Sequence, residues 1–275
     1  MFKKLLAVFA AMLVVFLSPP ALAATEQGVL FLNVGDADAA LVLTGDKAFL
    51  VDTGRKKTAD RVLDALNTMG ITELEGVFIT HSHSDHVGGL KEIAKSMPIG
   101  TVYCAAIGEQ NKDGEMKTPK AIRKAGHEPV LLQAGQQVQA GDALFEVLGP
   151  LVEDVNDDND NSLVLRLSMQ GTTFLLTGDM QMMEEHTLLK AGVALSADVL
   201  KVGNHGNRDA TTPAFVRAVQ PSLAVISADT TQDSNSAHPQ VMKTLSPARV
   251  LVTQQARVGI WVKVQAGELS ATLVQ

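Results

Sequence analysis

Short apolar runs separated by Gly, Asp and Pro recur along the chain from residue 29 to its end. Runs of this kind, rich in Val, Leu, Ile and Phe and bounded by turn residues, predict strands. The predicted strands cover residues 29–34, 39–43, 48–51, 76–80, 101–103, 129–132, 144–148, 163–167, 172–176, 199–202 and 223–227, and closing strands lie within 249–273. They are too numerous for one small sheet, and helical segments interrupt them.

Apolar residues spaced three or four positions apart predict helices over 58–69, 90–96, 119–125 and 180–191. In the first of these, Ala59, Val62, Leu66 and Met69 share one face. Two further helices begin at Thr212-Pro213 and at His238-Pro239, where proline occupies the first helical position. Strands that alternate with helices predict a layered α/β fold.

The first 23 residues form a pattern of their own. Lys3 and Lys4 precede an apolar stretch over 5–17, Ser18-Pro19-Pro20 interrupts it, and Ala21-Leu22-Ala23 offers a small-residue cleavage site. This is typical of a secretory signal peptide. A membrane anchor is the alternative, but the apolar stretch is shorter than the roughly 20 residues that a spanning helix needs. We therefore expect export to the periplasm or beyond, no stable membrane anchor after cleavage, and a single domain over 24–275.

Composition narrows the classes of partner. The formal net charge is −7, so the protein has no long-range attraction to nucleic acid or anionic membranes. Nucleic acid remains a possible substrate, but we find no basic patch and no evident need for an obligate protein partner. Aromatic residues make up only 4% of the chain, which predicts an aliphatic core. Cys104 is the only cysteine, so no internal disulfide can form, and we expect it to be a buried small residue rather than a nucleophile.

The most informative stretch is His81-Ser82-His83-Ser84-Asp85-His86, which follows the strand predicted over 76–80 and precedes Gly88-Gly89. Imidazoles and carboxylates at a strand end are costly to bury unless something compensates them. A metal ion does so, and these side chains are the usual non-thiolate ligands of zinc and related ions. Asp52, Asp179 and His205 also fall at or just after predicted strand ends, which can meet at one edge of such a fold.

Taken in order, these residues resemble the metallo-β-lactamase superfamily over essentially the whole chain after the leader. The similarity is closest to the hydrolase domain of ComEC-type competence proteins and their free-standing relatives. The motifs that carry it are Val34-Gly35-Asp36-Ala37-Asp38-Ala39, Val51-Asp52-Thr53-Gly54, the His cluster, Leu175-Leu176-Thr177-Gly178-Asp179, and Asp198-Val199-Leu200-Lys201-Val202 leading to His205-Gly206.

The resemblance implies a four-layer αββα sandwich with a metal site at one edge of its two sheets. It implies two divalent ions, zinc first and manganese as the alternative. His81 and His83 would bind one ion, Asp85, His86 and His205 the other, and Asp179 would bridge them. Asp52 would orient a ligand imidazole.

Two departures from the family pattern concern the metal ligands. Many members supply a third His to the first metal before the Gly-Asp strand, where this chain has Asp160, Asn161 and Ser162. The ComEC-type group also lacks that His. Asn204 stands where that group usually has the first of two His residues.

We expect a metal-dependent hydrolase, and a phosphodiesterase or nuclease in particular. Two ions that share a water would lower its pKa and provide a hydroxide nucleophile. Asp85 or Asp179 would accept a proton, and His238 would protonate the leaving group unless it only caps its helix. Hydrolysis of C–N or C–S bonds, as by a β-lactamase or a thioesterase, is the alternative, and a non-catalytic binding module is a third hypothesis. Lys201 is open to two interpretations, a substrate-anion contact or a structural ion pair. The acidic stretch 154–160 is expected to be a solvated loop.

Overall fold

The computed structural model describes residues 26–275. The predicted signal peptide lies outside the described residues and stays a prediction, as does the single domain over 24–275. Within the described part of the chain, no helix combines the length and the apolar character that crossing a bilayer requires.

The strands form two sheets. In chain order they are β1 (Gln27–Leu32), β2 (Ala40–Leu43), β3 (Ala48–Val51), β4 (Leu74–Ile79), β5 (Ile99–Ala105), β6 (Pro129–Leu132), β7 (Gln137–Ala140), β8 (Ala143–Gly149), β9 (Val164–Met169), β10 (Thr172–Leu176), β11 (Val199–Lys201), β12 (Leu223–Ile226), β13 (Arg249–Val252), β14 (Gly259–Gln265) and β15 (Glu268–Val274). One sheet has the order β15-β14-β1-β2-β3-β4-β5-β6, and the other β13-β12-β11-β10-β9-β8-β7.

Both sheets are mixed, and their parallel strands matter most for the site. β3, β4, β5 and β6 run parallel in the first sheet, with Leu50 opposite Val77. β10, β11, β12 and β13 run parallel in the second, with Leu175 opposite Leu200. The carboxyl ends of parallel strands meet at one edge of a sheet, where open α/β folds usually bind ligands.

Within residues 26–275, six α-helices flank the sheets: α1 (Ala59–Thr68), α2 (Leu90–Ser96), α3 (Lys117–Lys124), α4 (Met182–Lys190), α5 (Pro213–Val219) and α6 (Pro239–Thr244). The predicted apolar face of α1 is buried. Thr212 caps α5 by accepting a hydrogen bond from the Phe215 amide at 3.3 Å, with Pro213 at the first helical position, as the sequence predicted.

Three hydrophobic clusters separate four layers. The first lies between the two sheets. The second packs α1, α2 and α3 on the outer face of the first sheet, and the third packs α4, α5 and α6 on the outer face of the second. The predicted αββα sandwich is confirmed, because each sheet buries one face against the other sheet and one against helices.

The core is mainly aliphatic, as predicted, and most of the few aromatic side chains of the described residues lie in the layer between the sheets. Its centre holds Phe49, Phe78 and Phe145, with the Phe78 and Phe145 ring centroids 4.5 Å apart and Tyr103 stacked on Phe78. All phenylalanines of the described residues are fully buried: Phe31, Phe49, Phe78, Phe145, Phe174 and Phe215. The chain has few aromatic rings, but those of the described residues are used in the core. Each ring there buries more surface than an aliphatic side chain would.

The predicted and observed elements agree closely, with one strand missed. β7 (Gln137–Ala140) pairs with β8, but three of its four residues are polar or partly exposed, so it lacks the apolar run on which the prediction depended. Cys104 is fully buried as predicted, and burial raises its thiol pKa to about 12, which leaves it unreactive.

Candidate metal centre

The predicted site residues come from the ends of parallel strands in both sheets. Asp52 follows β3 and His81 follows β4 in the first sheet, whereas Asp179 follows β10 and His205 follows β11 in the second. The Leu163 amide donates to the Thr80 carbonyl at 2.9 Å, which ties the end of β4 to the segment that enters β9. The packing of the two sheets therefore brings together residues more than 120 positions apart.

His86 is fixed by carboxylates on both sides. Its Nδ1 lies 2.8 Å from Asp52 Oδ2, and its Nε2 lies 3.0 Å from Asp179 Oδ2. Asp52 is itself held, because its Oδ1 accepts a hydrogen bond from the Thr80 amide at 2.8 Å. A carboxylate at Nδ1 keeps the proton there and directs the Nε2 lone pair to the opposite side. Asp52 thus has the geometry expected of a residue that orients a ligand imidazole.

His205 is oriented in the same way by a backbone group. Its Nδ1 donates to the Ser227 carbonyl at 2.8 Å, and its Nε2 points at Asp179 Oδ2 across 3.3 Å and at Asp85 Oδ2 across 3.8 Å. Asp179 follows Gly178, whose φ is +51°; a Cβ there would lie 2.8 Å from Thr80 Cβ. Only glycine fits this close approach, so Gly178 is needed to bring Asp179 between the two sheets.

The arrangement fits divalent cations. Asp85, His86 and His205 have ligand atoms that all lie within 4.8 Å of one another, and so do His81, His86 and Asp179. Within residues 26–275, buried His81 Nε2, His205 Nε2 and Asp179 Oδ1 have no hydrogen-bond partner. Buried acceptors without partners are costly. Imidazole nitrogens and carboxylate oxygens that converge in this way are the donor set of a zinc or manganese ion.

The electrostatics of the centre point the same way. Burial disfavours a charged His86, but Asp179 and Asp52 outweigh it and hold the pKa of His86 well above its usual range. Burial likewise opposes charge on His205, yet Asp179 raises its pKa to about 9. The pKa of His81 lies well below its usual range because of burial and the neighbouring His86. Carboxylates that favour a proton at His86 and His205 also favour a metal ion in its place, and metal binding would release those protons.

The two predicted metal sites differ in completeness. Asp85, His86, His205 and Asp179, which were assigned to the second site and the bridge, converge closely. His83, assigned to the first site with His81, is exposed and has its ring centroid 4.6 Å from that of His81. No group of converging ligand atoms in the described residues includes His83. The roles of these residues as ligands stay predictions.

Ser162 lies in the stretch 160–162, where the family pattern led us to look for a further His ligand. Its Oγ accepts a hydrogen bond from the Asp179 amide at 3.0 Å and lies 3.4 Å from His81 Nδ1. It is fully buried, and its hydrogen bond positions Asp179.

Lys201 forms a structural ion pair, one of the two interpretations left open. It is buried at the end of β11, pairs with Asp38, and donates to the Gly178 carbonyl at 2.9 Å. Burial opposes its charge, but Asp38 and Asp179 outweigh burial and raise the pKa of Lys201 above its ordinary value. Asp38 lies in the motif at 34–39, yet the sequence alone gave it no role.

His238 caps α6, which was the alternative to a catalytic role. Its Nδ1 accepts a hydrogen bond from the Gln240 amide at 3.2 Å, and its own amide donates to the Gly206 carbonyl at 2.9 Å. The side chain of His238 is half-buried. The hydrogen bond of its backbone amide connects it to Gly206, the residue after His205. Its part in proton transfer stays a prediction.

The acidic stretch 154–160 was expected to be solvated, and this was wrong for two of its carboxylates. Asp158 and Asp160 are buried in a one-turn 3₁₀ helix (Asp158–Asn161). Asp158 Oδ2 accepts from the Ser82 amide and hydroxyl at 2.9 and 2.5 Å, and its Oδ1 accepts from the Glu109 amide at 2.9 Å. It therefore anchors the His-bearing loop. The position of Asp158 just before the apolar run at 163–167 was the only signal for this in the sequence.

Comparison with known proteins identifies the family. The family model described as the metallo-beta-lactamase superfamily matches residues 32–230. The chain belongs to the metallo-β-lactamase superfamily. Its fold is similar to the crystal structure of the metallo-beta-lactamase fold protein YhfI from Bacillus subtilis, with a TM-score of 0.55 and 14% identity over 87% of this chain and 100% of that one.

Two curated relatives bear on the subgroup. Competence protein ComA of Neisseria gonorrhoeae is 31% identical over 211 residues, which is 76% of this chain and 28% of the relative. This chain thus aligns with little more than a quarter of that protein. A hydroxyacylglutathione hydrolase of Xanthomonas axonopodis pv. citri (strain 306) is 25% identical over 228 residues, which is 76% of this chain and 84% of the relative. The predicted similarity to competence proteins is confirmed.

Proposed function

We propose that this protein is an exported phosphodiesterase whose centre uses two divalent ions. The observation that carries the proposal is that two groups of converging ligand atoms share one imidazole, His86, and flank one carboxylate, Asp179. Divalent ions held there would supply an activated water and offset negative charge in the transition state.

The charge of the centre suits an anionic substrate. Asp38, Asp52, Asp85 and Asp179 contribute four carboxylates, and two fixed cations contact them: Lys201 at Asp38, and Arg55 at Asp85 with Nη2 3.0 Å from Oδ2. Two negative charges are left over. Two divalent ions would turn this into two positive charges, which a hydroxide and a phosphodiester monoanion together neutralise. A neutral amide or thioester would leave the site with excess positive charge.

The chain's own residues have distinct tasks in this proposal. Asp179 and Asp85 hold the cations and accept a proton from the attacking water. Asp52 and the Ser227 carbonyl fix the tautomers of His86 and His205. His238 donates a hydrogen bond to the leaving oxygen and so offsets its negative charge, and the leaving oxygen takes its proton from solvent. Because its Nδ1 accepts a hydrogen bond from the Gln240 amide, a neutral His238 carries its proton on Nε2, the nitrogen that is free to make this bond.

The subgroup similarity favours phosphodiesters over other substrates. The relative Competence protein ComA is named for competence, which makes a nucleic-acid backbone the first phosphodiester to test. The net charge of −7 argues against tight duplex binding, because phosphate contacts need Lys and Arg. A single strand or a small phosphodiester fits better than a long duplex.

A thioester is the second candidate substrate. The observation in its favour is the similarity to a hydroxyacylglutathione hydrolase over 84% of that protein's length. Against it stands Ser162, which lies beside His81 where those enzymes have another imidazole. Fewer nitrogen ligands and more oxygen ligands shift the preference of a site from zinc towards manganese.

Elemental analysis and hydrolysis assays test the proposal together. Residues 24–275 are purified, the metal content is determined, and hydrolysis of bis-p-nitrophenyl phosphate and of a single-stranded oligonucleotide is followed with zinc and with manganese. We expect about two ions per chain. We also expect activity to be lost on chelation and in Asp179→Ala. His186→Ala, which removes an exposed imidazole on α4, should behave as the wild type.

S-lactoylglutathione and nitrocefin separate the alternatives. Turnover of S-lactoylglutathione without turnover of either phosphodiester would replace the phosphodiesterase with a thioesterase. Nitrocefin turnover alone would indicate a lactamase. Metal-free protein with no activity on any of these substrates after reconstitution would favour the binding module.

Export is a separate part of the proposal and rests on the pattern over residues 1–23. Expression of the full chain in a bacterial host, followed by N-terminal sequencing of the periplasmic fraction and the medium, tests it. A product that begins at Ala24 is expected. Full-length protein retained with membranes or cytoplasm would contradict it.

A further inference from the structure

An ion pair between two buried residues lies directly behind the metal centre. Lys201 and Asp38 are each 4% exposed, and they join the second sheet to the turn between β1 and β2 of the first. Surface ion pairs contribute little to stability, and buried ones carry a large desolvation cost. A pair in this position therefore calls for an explanation beyond general stabilisation of the fold.

Lys201 contacts the segment that carries the bridging carboxylate. Its Nζ donates to the Gly178 carbonyl at 2.9 Å and lies 3.8 Å from Asp179 Oδ1. That oxygen is buried and has no hydrogen-bond partner among residues 26–275. The ammonium group is thus a fixed cation close to the unpartnered oxygen of Asp179.

Asp38 contacts the other half of the centre. Its Oδ2 lies 3.8 Å from His86 Nδ1, and its backbone amide donates to the Asp85 carbonyl at 3.1 Å. Its Oδ1 is buried and has no hydrogen-bond partner among residues 26–275. Asp38 and Lys201 also line a mostly apolar cavity of about 20 Å³.

We propose that Lys201 is a positioning residue and a fixed internal cation that limits how tightly the centre binds divalent ions, and that Asp38 keeps its charge away from Asp179. With Asp38 present, the ammonium group is shared between Asp38 and the Gly178 carbonyl. Without Asp38, the ammonium group would turn to Asp179 and compete with metal for the bridging carboxylate. Without Lys201, Asp38 would add an uncompensated negative charge beside His86.

The two halves of the pair therefore have opposite effects on metal affinity. Charges a few ångströms apart in a buried site interact strongly, so Lys201→Met should tighten binding of Mn²⁺ and Zn²⁺ by roughly tenfold or more. Asp38→Asn should weaken binding by a similar factor. The double variant removes both charges and should return to within a fewfold of the wild type. A pair that only supports the fold would weaken binding in both single variants.

Competition with a fluorescent metal chelator measures the dissociation constants without any substrate. Thermal unfolding with and without metal gives a second readout, in which Lys201→Met should gain more stability from metal than the wild type does. Lys47→Met is the matched control, because Lys47 pairs with Glu75 at the surface, with 2.9 Å between Nζ and Oε1. Its metal affinity should equal that of the wild type.

Three outcomes overturn the inference. Weaker binding in both single variants, or unchanged binding in both, would show that the pair does not tune the centre. If Lys201→Met does not fold, the double variant must still bind metal roughly tenfold more tightly than Asp38→Asn; equal affinities would reject the inference. The inference on Lys201 and Asp38 depends on the metal centre and not on the substrate. Wild-type protein that binds neither ion would therefore overturn the centre itself, whereas failure to hydrolyse phosphodiesters would leave the inference intact.

Discussion

Two groups of carboxylates lie near each other in the folded protein, and the partners of their oxygen atoms differ. One belongs to the metal centre and consists of Asp38, Asp52, Asp85 and Asp179. The other surrounds the start of α4 and consists of Asp158, Asp160, Glu184 and Glu185. Side chains at the metal centre face imidazole nitrogens and an ammonium group, and several ligand atoms there have no partner.

The carboxylates of the second group accept hydrogen bonds mainly from backbone amides instead. Asp160 Oδ1 accepts from the Gln181 and Glu184 amides at 2.8 and 3.1 Å and so caps α4 from another segment. Glu184 accepts from the Leu151 amide at 3.0 Å, and Glu185 from the amides of Thr211 and Thr212, the latter at 2.9 Å. The contrast is one of degree, since Asp52 also accepts from the Thr80 amide and Glu184 Oε2 has no partner among residues 26–275. Carboxylates whose main partners are backbone amides order loops, whereas we expect those that face other ligand atoms to hold cations.

The largest expected effect is at a ligand of the centre. His205→Ala removes an imidazole whose Nε2 faces Asp179 and Asp85, and it should lower hydrolysis by about a thousandfold or more, beyond the 10–100-fold typical of groups that only support ligands. Metal content should fall with it. His186→Ala removes an exposed imidazole and should change neither. Equal metal content in both variants would mean that His205 is not a ligand.

The second effect concerns pH and the scaffold group. Burial raises the pKa of Glu185 from 4.5 to about 7, against the hydrogen bonds from Thr212 and Thr211 that lower it. The folded protein therefore keeps a proton that the unfolded chain releases, and this stabilisation is complete below pH 4.5 and is lost as pH rises through about 7. The shift corresponds to about 3 kcal/mol.

Glu185→Gln should lack this part of the pH dependence. Urea unfolding of chelated protein at several pH values, compared between wild type and variant, isolates it because other titrating groups cancel. Glu73→Gln, which removes an exposed carboxyl, is the control and should follow the wild type. A difference in stability between wild type and Glu185→Gln that does not change between pH 4.5 and 7 would contradict the prediction.

The third effect tests how Asp52 acts. Asp52→Asn keeps the Thr80 amide bond but places an NH₂ group near His86 Nδ1, which moves the imidazole proton to the nitrogen that faces Asp179. Metal affinity should fall by about a hundredfold, the upper end for groups that orient a ligand. Asp198→Asn is the matched control, since Asp198 accepts from the Thr173 amide and hydroxyl at 2.8 and 2.9 Å with no imidazole nearby. Similar metal affinities in Asp52→Asn and Asp198→Asn would show that Asp52 does not orient a metal ligand.

The smallest expected effect separates the scaffold from the chemistry. Asp158→Asn offers one acceptor oxygen in place of two, so either Ser82 or Glu109 loses its partner. The free energy of unfolding should fall by about 2 kcal/mol. Asp157→Asn changes the half-buried neighbour, which accepts from the Asn159 amide at 3.0 Å, and should cost less. A larger loss of unfolding free energy in Asp157→Asn than in Asp158→Asn would contradict the conclusion that Asp158 anchors the His-bearing loop.

The sequence was most informative where the signal was local. The apolar runs predicted nearly every strand, because burial on both faces leaves little room for polar residues. The order of His and Asp residues at strand ends predicted the centre, because parallel strands bring their carboxyl ends to one edge. β7 was missed because an edge hairpin needs no continuous apolar run.

The sequence by itself determined the family, the layered fold and most of the residues that meet at the centre, since these depend on periodicity and on the order of motifs. Only the tertiary structure decided which carboxylates face the imidazoles of the centre and which order loops. Asp158 was predicted to be solvated and Glu185 had no predicted role, because the amides of Ser82, Glu109, Thr211 and Thr212 reach them only in the folded chain. The pairing of Lys201 with Asp38 spans 163 positions. Partners this distant leave no local pattern, because contacts between sheets are set by packing rather than by spacing along the chain.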